Sequence, residues 1–479
     1  MRRLARLSTL LAVALIAAPA AADASPPAGE RAARQALGAA LDAFREPLAA
    51  GAATGERDLT AALRDLAVSL PALGRRDREL ARDLLARPTD KSSRSYFGKE
   101  AASSPACSAQ FCVHWTDNRR NRPSSTTFLN QIGSAIDRSY DVENGTLGWR
   151  RAKSDGHLGA RRGVGAEGQV DVYVTNLGSN LYGYAANDPG QKGARRHAYL
   201  VLDRDYRGFP TPPVQSMRVT VAHEYNHILQ FGYDAFEDLW LFESTATWME
   251  EKVFPEIDDY LNYMPEMARR PQEPLTGRSI KVYAEAVWNH WLSGRIGDEA
   301  VRRAWEVSRA ERHFAVDAYD DAIEAFAGPG FARELGSFFA ASAEWKVGAA
   351  FPDHGAYPDV DRSGRVGTAT RKARLDNTAY RLYGVKGLSG PSVTLTARAE
   401  KGTRSSISLV GRAGDSGPVT VATTYLPKGG RGEVTLADPG AFSRVTAVVA
   451  NVDGRSNRED QRGRRIYRSD GSRYRFSLR

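Results

Sequence analysis

Two histidines four residues apart in an apolar run constrain this chain more than any other feature. The run Val221-Ala-His-Glu-Tyr-Asn-His-Ile-Leu-Gln230 sets His223 and His227 at positions i and i+4. In an α-helix such side chains lie on one face, so both imidazoles can point at one metal ion. The surroundings suit a helix: Pro212 and Pro213 fit a first turn, Val214, Met217, Val221 and Ile228 give apolar anchoring, and Gly232 fits a stop. Glu224 projects from the same end of that face, where it can take a proton from water rather than bind the metal.

Two histidines do not complete a catalytic metal site, which uses three protein ligands and keeps a position open. The segment Trp240-Leu-Phe-Glu-Ser-Thr-Ala-Thr-Trp-Met-Glu-Glu251 reads as a second helix, with Asp238 as N-cap and Pro255 marking the end. Glu243 follows His227 at a distance that lets one helix finish, a loop turn, and a carboxylate return to the metal. Ala246, one turn on, is small enough for the two helices to approach. Glu250 and Glu251 compete for the ligand role but sit about two turns further along. A third helical stretch, 280–293, ends at Gly294 and puts Tyr283, Ala286, Val287 and His290 on one stripe. Tyr283 or His290 can serve as donor to an oxyanion, but helical spacing alone usually means packing, and neither is counted in the site.

HExxH followed by W-L-x-E-x-x-A on a second helix resembles the gluzincin clan of zinc metallopeptidases. The longer run HEYNHILQ…WLFESTATWMEE is similar to a group of secreted bacterial metalloproteases, most sharply over 223–251 and more loosely over 111–291. The resemblance implies a zincin-like catalytic domain with zinc (Zn2+) on His223, His227 and Glu243. It also implies hydrolysis of peptide bonds by a zinc-activated water, with Glu224 as general base and a protein or peptide as substrate. Gluzincins often carry Asn-Glu-Gly around the third ligand, where this chain has Phe242-Glu243-Ser244. The rival reading is an exported adhesion or binding protein on an inactive zincin-like scaffold; the intact Glu224 speaks against it, since a scaffold needs no base. Hydrolysis of a non-peptide bond stays open, because HExxH specifies water activation and not the acyl group attacked.

Around this centre the chain reads as multidomain α+β. Residues 1–24 have the form of a secretory signal peptide: Arg2, Arg3 and Arg6, then a short apolar run, then small residues at an A-x-A site. Secretion to the extracellular space follows as an expectation. Residues 25–95 form a helical segment, a possible propeptide, and 96–370 the metallopeptidase domain. Within the latter, Cys112–Trp115, 170–174 and 198–202 read as strands. Residues 371–479 carry short β runs separated by Gly, Pro, Asp and Ser, which suggests a C-terminal β-sandwich. Cys107 and Cys112 are the only cysteines, and in an exported chain the pair closes a small disulfide loop. With 66 Lys+Arg against 57 Asp+Glu the charge excess is scattered, without a basic run interleaved with aromatics, so nucleic acid is not an expected partner. No later apolar run reaches the ~20 residues of a membrane span, so no stable membrane insertion is expected. Asp359-Val-Asp361-Arg-Ser363-Gly364 opens like a calcium loop, but Thr370 stands where an EF-hand requires Glu.

Overall fold

The computed structural model describes residues 28–44, 59–101, 105–159, 169–178, 181–308, 314–326, 328–347, 350–427, 430–459 and 465–479. The signal-like residues 1–24 lie outside the described residues. The chain is mixed α+β. Three helices come first: α1 (Ala28–Ala43), α2 (Thr60–Ser69) and α3 (Arg75–Leu84). A five-stranded sheet follows, built from β1 (Ala106–Cys107), β2 (Phe111–His114), β3 (Val170–Thr175), β4 (Gly183–Ala186) and β5 (Tyr199–Asp203), with α4 (Thr126–Tyr140) between β2 and β3. The strand order is β1-β2-β3-β5-β4. β2, β3 and β5 run parallel, and β4 lies antiparallel to β5 at the edge. The Cys107–Cys112 disulfide closes the β1–β2 hairpin.

Parallel strands need both faces covered, and alternation along them sorts the residues accordingly. Val172, Val174, Ala185, Leu200 and Leu202 join one core with α4 and the helices that follow. Tyr173, Tyr184, Ala186, Tyr199 and Val201 face the other way, into a core with Leu37, Leu63, Leu66 and Leu84 of α1–α3. The N-terminal helices therefore form a layer on the sheet. They are also pinned there: the buried Arg87, just after α3, pairs with Asp155 at 2.6 Å, Asp188 at 2.6 Å and Asp171.

The helical body comprises α5 (Pro213–Tyr233), α6 (Leu239–Val253), α7 (Met264–Arg269), α8 (Lys281–Ala284), α9 (Ala286–Ile296), α10 (Asp298–Ser308), α11 (Ala315–Ala325) and α12 (Phe331–Ser342). Two sequence expectations change here. Gly232 does not stop α5, which runs to Tyr233; the Gly232 carbonyl accepts from Arg195 Nε at 2.9 Å instead. The stretch 280–293 is not one helix: it breaks at Glu285, and the second piece runs past Gly294 to Ile296. Glu285 and Lys281 are both buried and within 3.9 Å of each other, and Lys281 Nζ donates to the Glu273 carbonyl. Tyr283 and His290 thus sit on different helices, although their spacing fits one stripe.

The remaining chain forms two facing sheets. Strands β6 (Arg362–Val366), β8 (Ala379–Val385), β10 (Ser405–Arg412), β11 (Val419–Leu426) and β13 (Arg444–Asn451) make one, in the order β11-β10-β13-β8-β6. Strands β7 (Arg371–Leu375), β9 (Ser392–Ala399), β12 (Arg431–Ala437) and β16 (Ser472–Leu478) make the other, in the order β12-β9-β16-β7. β14 (Ser456–Glu459) and β15 (Arg465–Tyr467) form a separate hairpin. Leu395, Ile407, Leu409, Val434, Val449 and Phe476 share the core between the two sheets. β6 begins before residue 371, so this unit starts earlier in the chain than the composition suggests. The outer face of its larger sheet packs on the helical body, with Tyr380 stacked on Phe339 of α12 at 4.1 Å. Among the described residues no helix is long and apolar enough to cross a membrane.

Candidate metal centre

From Ser216 to Tyr233 nearly every residue of α5 is buried, including His223, Glu224, Asn226, His227 and Gln230. A helix with that many polar groups inside must satisfy each one or hold it for a ligand. α6 packs against α5 and is almost as fully buried, so Glu243 enters the same interior. Its carboxylate Oε2 lies 3.3 Å from His223 Nε2 and 3.5 Å from His227 Nε2. One ligand atom from each of the three residues falls within 4.8 Å of the others.

The far side of each imidazole is fixed. His223 Nδ1 meets Glu250 Oε1 at 2.7 Å, and His227 Nδ1 meets Gln230 Oε1 at 2.7 Å. Gln230 is held in turn: its Nε2 donates to Asn226 Oδ1 at 2.6 Å and to the Phe242 carbonyl at 3.1 Å. Asn226 Nδ2 donates to the buried Glu143 at 3.0 Å. An acceptor on Nδ1 places the ring proton there and leaves Nε2 as a lone pair, the form a metal requires.

The inner side is different. His227 Nε2 and both Glu243 oxygens are buried without a hydrogen bond among the described residues. Burial alone raises the Glu243 carboxyl, but the adjacent His227 and His223 outweigh it and hold it at about 2. Burial likewise lowers His223 and His227, yet Glu243 pulls both up, helped at His223 by Glu250. A carboxylate and two imidazoles in one buried pocket therefore demand a positive charge, from protons or from a cation. Two nitrogens and an oxygen suit a divalent transition metal. The residues present fit such an ion.

Glu224 accepts from Thr60 Oγ1 of α2 at 2.9 Å, and lines a cavity of about 30 Å3 with His223, Glu250, Tyr263 and Tyr283. The ring of Tyr283 lies 6.0 Å from that of His223 and stacks on Tyr263. His290 lines neither this cavity nor its neighbour at Glu243; it packs on Tyr260 at 5.1 Å, and burial drives its pKa down to about 3. Glu251 turns away too, its carboxylate grouping with Asp258 and Asp353 rather than with the imidazoles. Glu250 holds His223 from behind.

Sequence reasoning did not single out Gln230, Asn226, Glu143 or Thr60. Gln230 follows His227 by one helical turn, so spacing alone signals it. Glu143 and Thr60 arrive from remote segments, and no local pattern announces them. No protein-family profile and no curated protein matches this chain.

Proposed function

We propose that the chain is a zinc-dependent hydrolase of peptide bonds, with His223, His227 and Glu243 as metal ligands and Glu224 as general base. One observation carries the reading: three buried ligand atoms converge from two helices, with His227 Nε2 and Glu243 left without hydrogen bonds. When bound, zinc supplies a Lewis acid that acidifies water and polarises a carbonyl. His223, His227 and Glu243 would supply three of the four ligands such an ion takes, which would leave one position for water or substrate.

The chain's own residues do the rest. Glu224 stands beside His223 without joining the ligand cluster, so it can accept a proton from water and pass it to the leaving amine. Val219, Tyr182 and Tyr263 help wall the cavity beside it, which has room for about one water. Tyr283 lines the same cavity, its ring 6.0 Å from that of His223, and its phenol is the group we assign to a developing oxyanion. Gln230 and Glu250 keep both imidazoles in the binding tautomer.

The test is metal content and peptide hydrolysis on purified protein, with and without a chelator, beside Glu224→Gln. Wild type should hold about one zinc per chain and lose turnover to the chelator. Glu224→Gln should hold the same zinc and lose turnover by on the order of a hundredfold or more. Full turnover in Glu224→Gln would remove the general-base assignment.

A further inference from the structure

The site is covered by a part of the chain remote in sequence. Thr60, the first residue of α2, is buried, and its hydroxyl bridges two groups: it donates to Glu224 Oε2 at 2.9 Å and accepts from the Ala185 amide at 2.8 Å. Ala185 lies on β4, the edge of the sheet. Asp203 N bonds the Tyr182 carbonyl, so in the antiparallel alternation the 183 and 185 amides face away from β5. A free strand edge takes up an extended peptide through such main-chain groups. Thr60 thus holds both the amide that would grip a substrate backbone and the carboxylate that would take a proton from water.

The space agrees. About 30 Å3 at His223 and Glu224 has room for a water but not for a peptide, since ligand sites run to roughly 300–1,000 Å3. Ala61, next on α2, walls a neighbouring cavity of about 260 Å3 that Glu243 and Tyr283 also line. The first turn of α2 therefore lies across both carboxylates, with the positive end of its dipole toward them. Besides Leu63 and Leu66 in the core against the sheet, two polar pins hold the helix down. Buried Arg64 donates to the Glu237 carbonyl at 2.9 Å and lies over the Phe242 ring at 4.7 Å. Asp65 pairs with Arg278, ahead of α8.

We propose that α2 is an inhibitory plug, whose first turn fills the site so that a peptide enters only when the helix withdraws. This rests on the peptidase reading of the same site. A role for Thr60 in positioning Glu224 for catalysis predicts the opposite response to loosening the helix, and that contrast supplies the test.

The experiment uses the full, zinc-loaded chain. Arg278→Ala removes the half-exposed pin, Arg64→Ala the buried one, and Thr60→Val the hydroxyl at nearly constant shape. Amide hydrogen exchange across 60–69 and the rate at which a chelator strips zinc report opening; the initial rate on a quenched fluorescent peptide reports access. Opening should accelerate about threefold in Arg278→Ala and about tenfold or more in Arg64→Ala. kcat/KM should rise by similar factors, because only the open fraction takes substrate. Thr60→Val should turn over at least as fast as wild type. Faster opening with falling kcat/KM in all three variants would overturn the plug and make α2 a catalytic support. Unchanged exchange in Arg64→Ala would overturn it as well. Faster opening and zinc loss with no peptide cleaved by any form would leave α2 as a cover and defeat the peptidase reading instead.

Discussion

Two buried glutamates, Glu243 on α6 and Glu344 just after α12, show how differently this chain uses a charge in its interior. Glu344 sits where the helical body meets the two-sheet unit, and its carboxylate accepts from Arg444 Nε at 2.7 Å and Arg412 Nη1 at 3.1 Å, with Arg362 at 3.8 Å. Its charge is matched by guanidinium groups that stay ionised at any ordinary pH. Glu243 faces two imidazoles instead, and makes no hydrogen bond among the described residues. The first arrangement is complete as it stands and joins two parts of the fold. The second is complete only with protons or a cation, and the chain spends a chain of partners, from Glu143 through Asn226 to Gln230, on keeping it that way.

The sharpest way to break the comparison is to exchange the expected losses. His227→Ala should strip the metal and abolish turnover while leaving a folded chain. Glu344→Ala should leave metal content intact and cost on the order of 1–3 kcal/mol of stability, because it removes the buried acceptor that Arg444 and Arg412 share. Elemental analysis and denaturant unfolding read the two losses separately, and metal loss in Glu344→Ala would dissolve the distinction. Glu243→Gln should weaken zinc binding more than Glu250→Gln or Glu251→Gln does; competition with a calibrated chelator ranks the three, and a reversed order would move the third ligand along α6. Gln230→Ala and Glu250→Gln leave the ligands but release the imidazoles behind them. Each should lower metal affinity by about 10–100-fold, with smaller changes in melting temperature.

The smallest effect concerns Glu251. Burial, followed by the charges of Glu250, Asp258, Asp353 and Asp259, pushes its carboxyl up to about 9. The folded state therefore holds this proton more tightly than the unfolded state, whose carboxyl titrates near 4.5. That contribution is fully present below the unfolded value and is lost as pH rises through the folded one. Glu251→Gln should accordingly gain stability over wild type as pH climbs from 8 to 9, by about 1 kcal/mol. Thermal unfolding of both proteins across that range checks it, and parallel curves would show that Glu251 is already matched in solution.

What was legible in the sequence was local. The i, i+4 histidines, Glu224 beside them and the second helix carrying Glu243 follow from one helical period and a ligand count. The strands at 111–114, 170–175 and 199–203 follow from apolar alternation or short apolar runs. What escaped depends on partners far along the chain. β4 has no alternating pattern in Gly-Tyr-Ala-Ala and becomes a strand by pairing with β5. At Glu285 one helix gives way to the next, where periodicity reads a single continuing stripe. Thr60 reaches Glu224 across 164 positions, and nothing in its own neighbourhood marks it.

β4 also carries a dimension of the site in the form of a missing atom. A Cβ on Gly183 would stand 2.9 Å from Thr220 Cγ2 and 3.0 Å from the Val201 carbonyl, so the Thr220 methyl of α5 rests directly on the backbone of β4. Thr220 is one helical turn before Glu224, and Gly183 is two residues before Ala185. The interval between strand edge and carboxylate is thus gauged by hard-sphere contact of one threonine methyl with bare strand backbone. A wall set in this way cannot widen to suit its guest. Whatever extended chain lies along that edge has its depth dictated by α5, and all adjustment must come from the opposite bank, where α2 and Tyr283 stand.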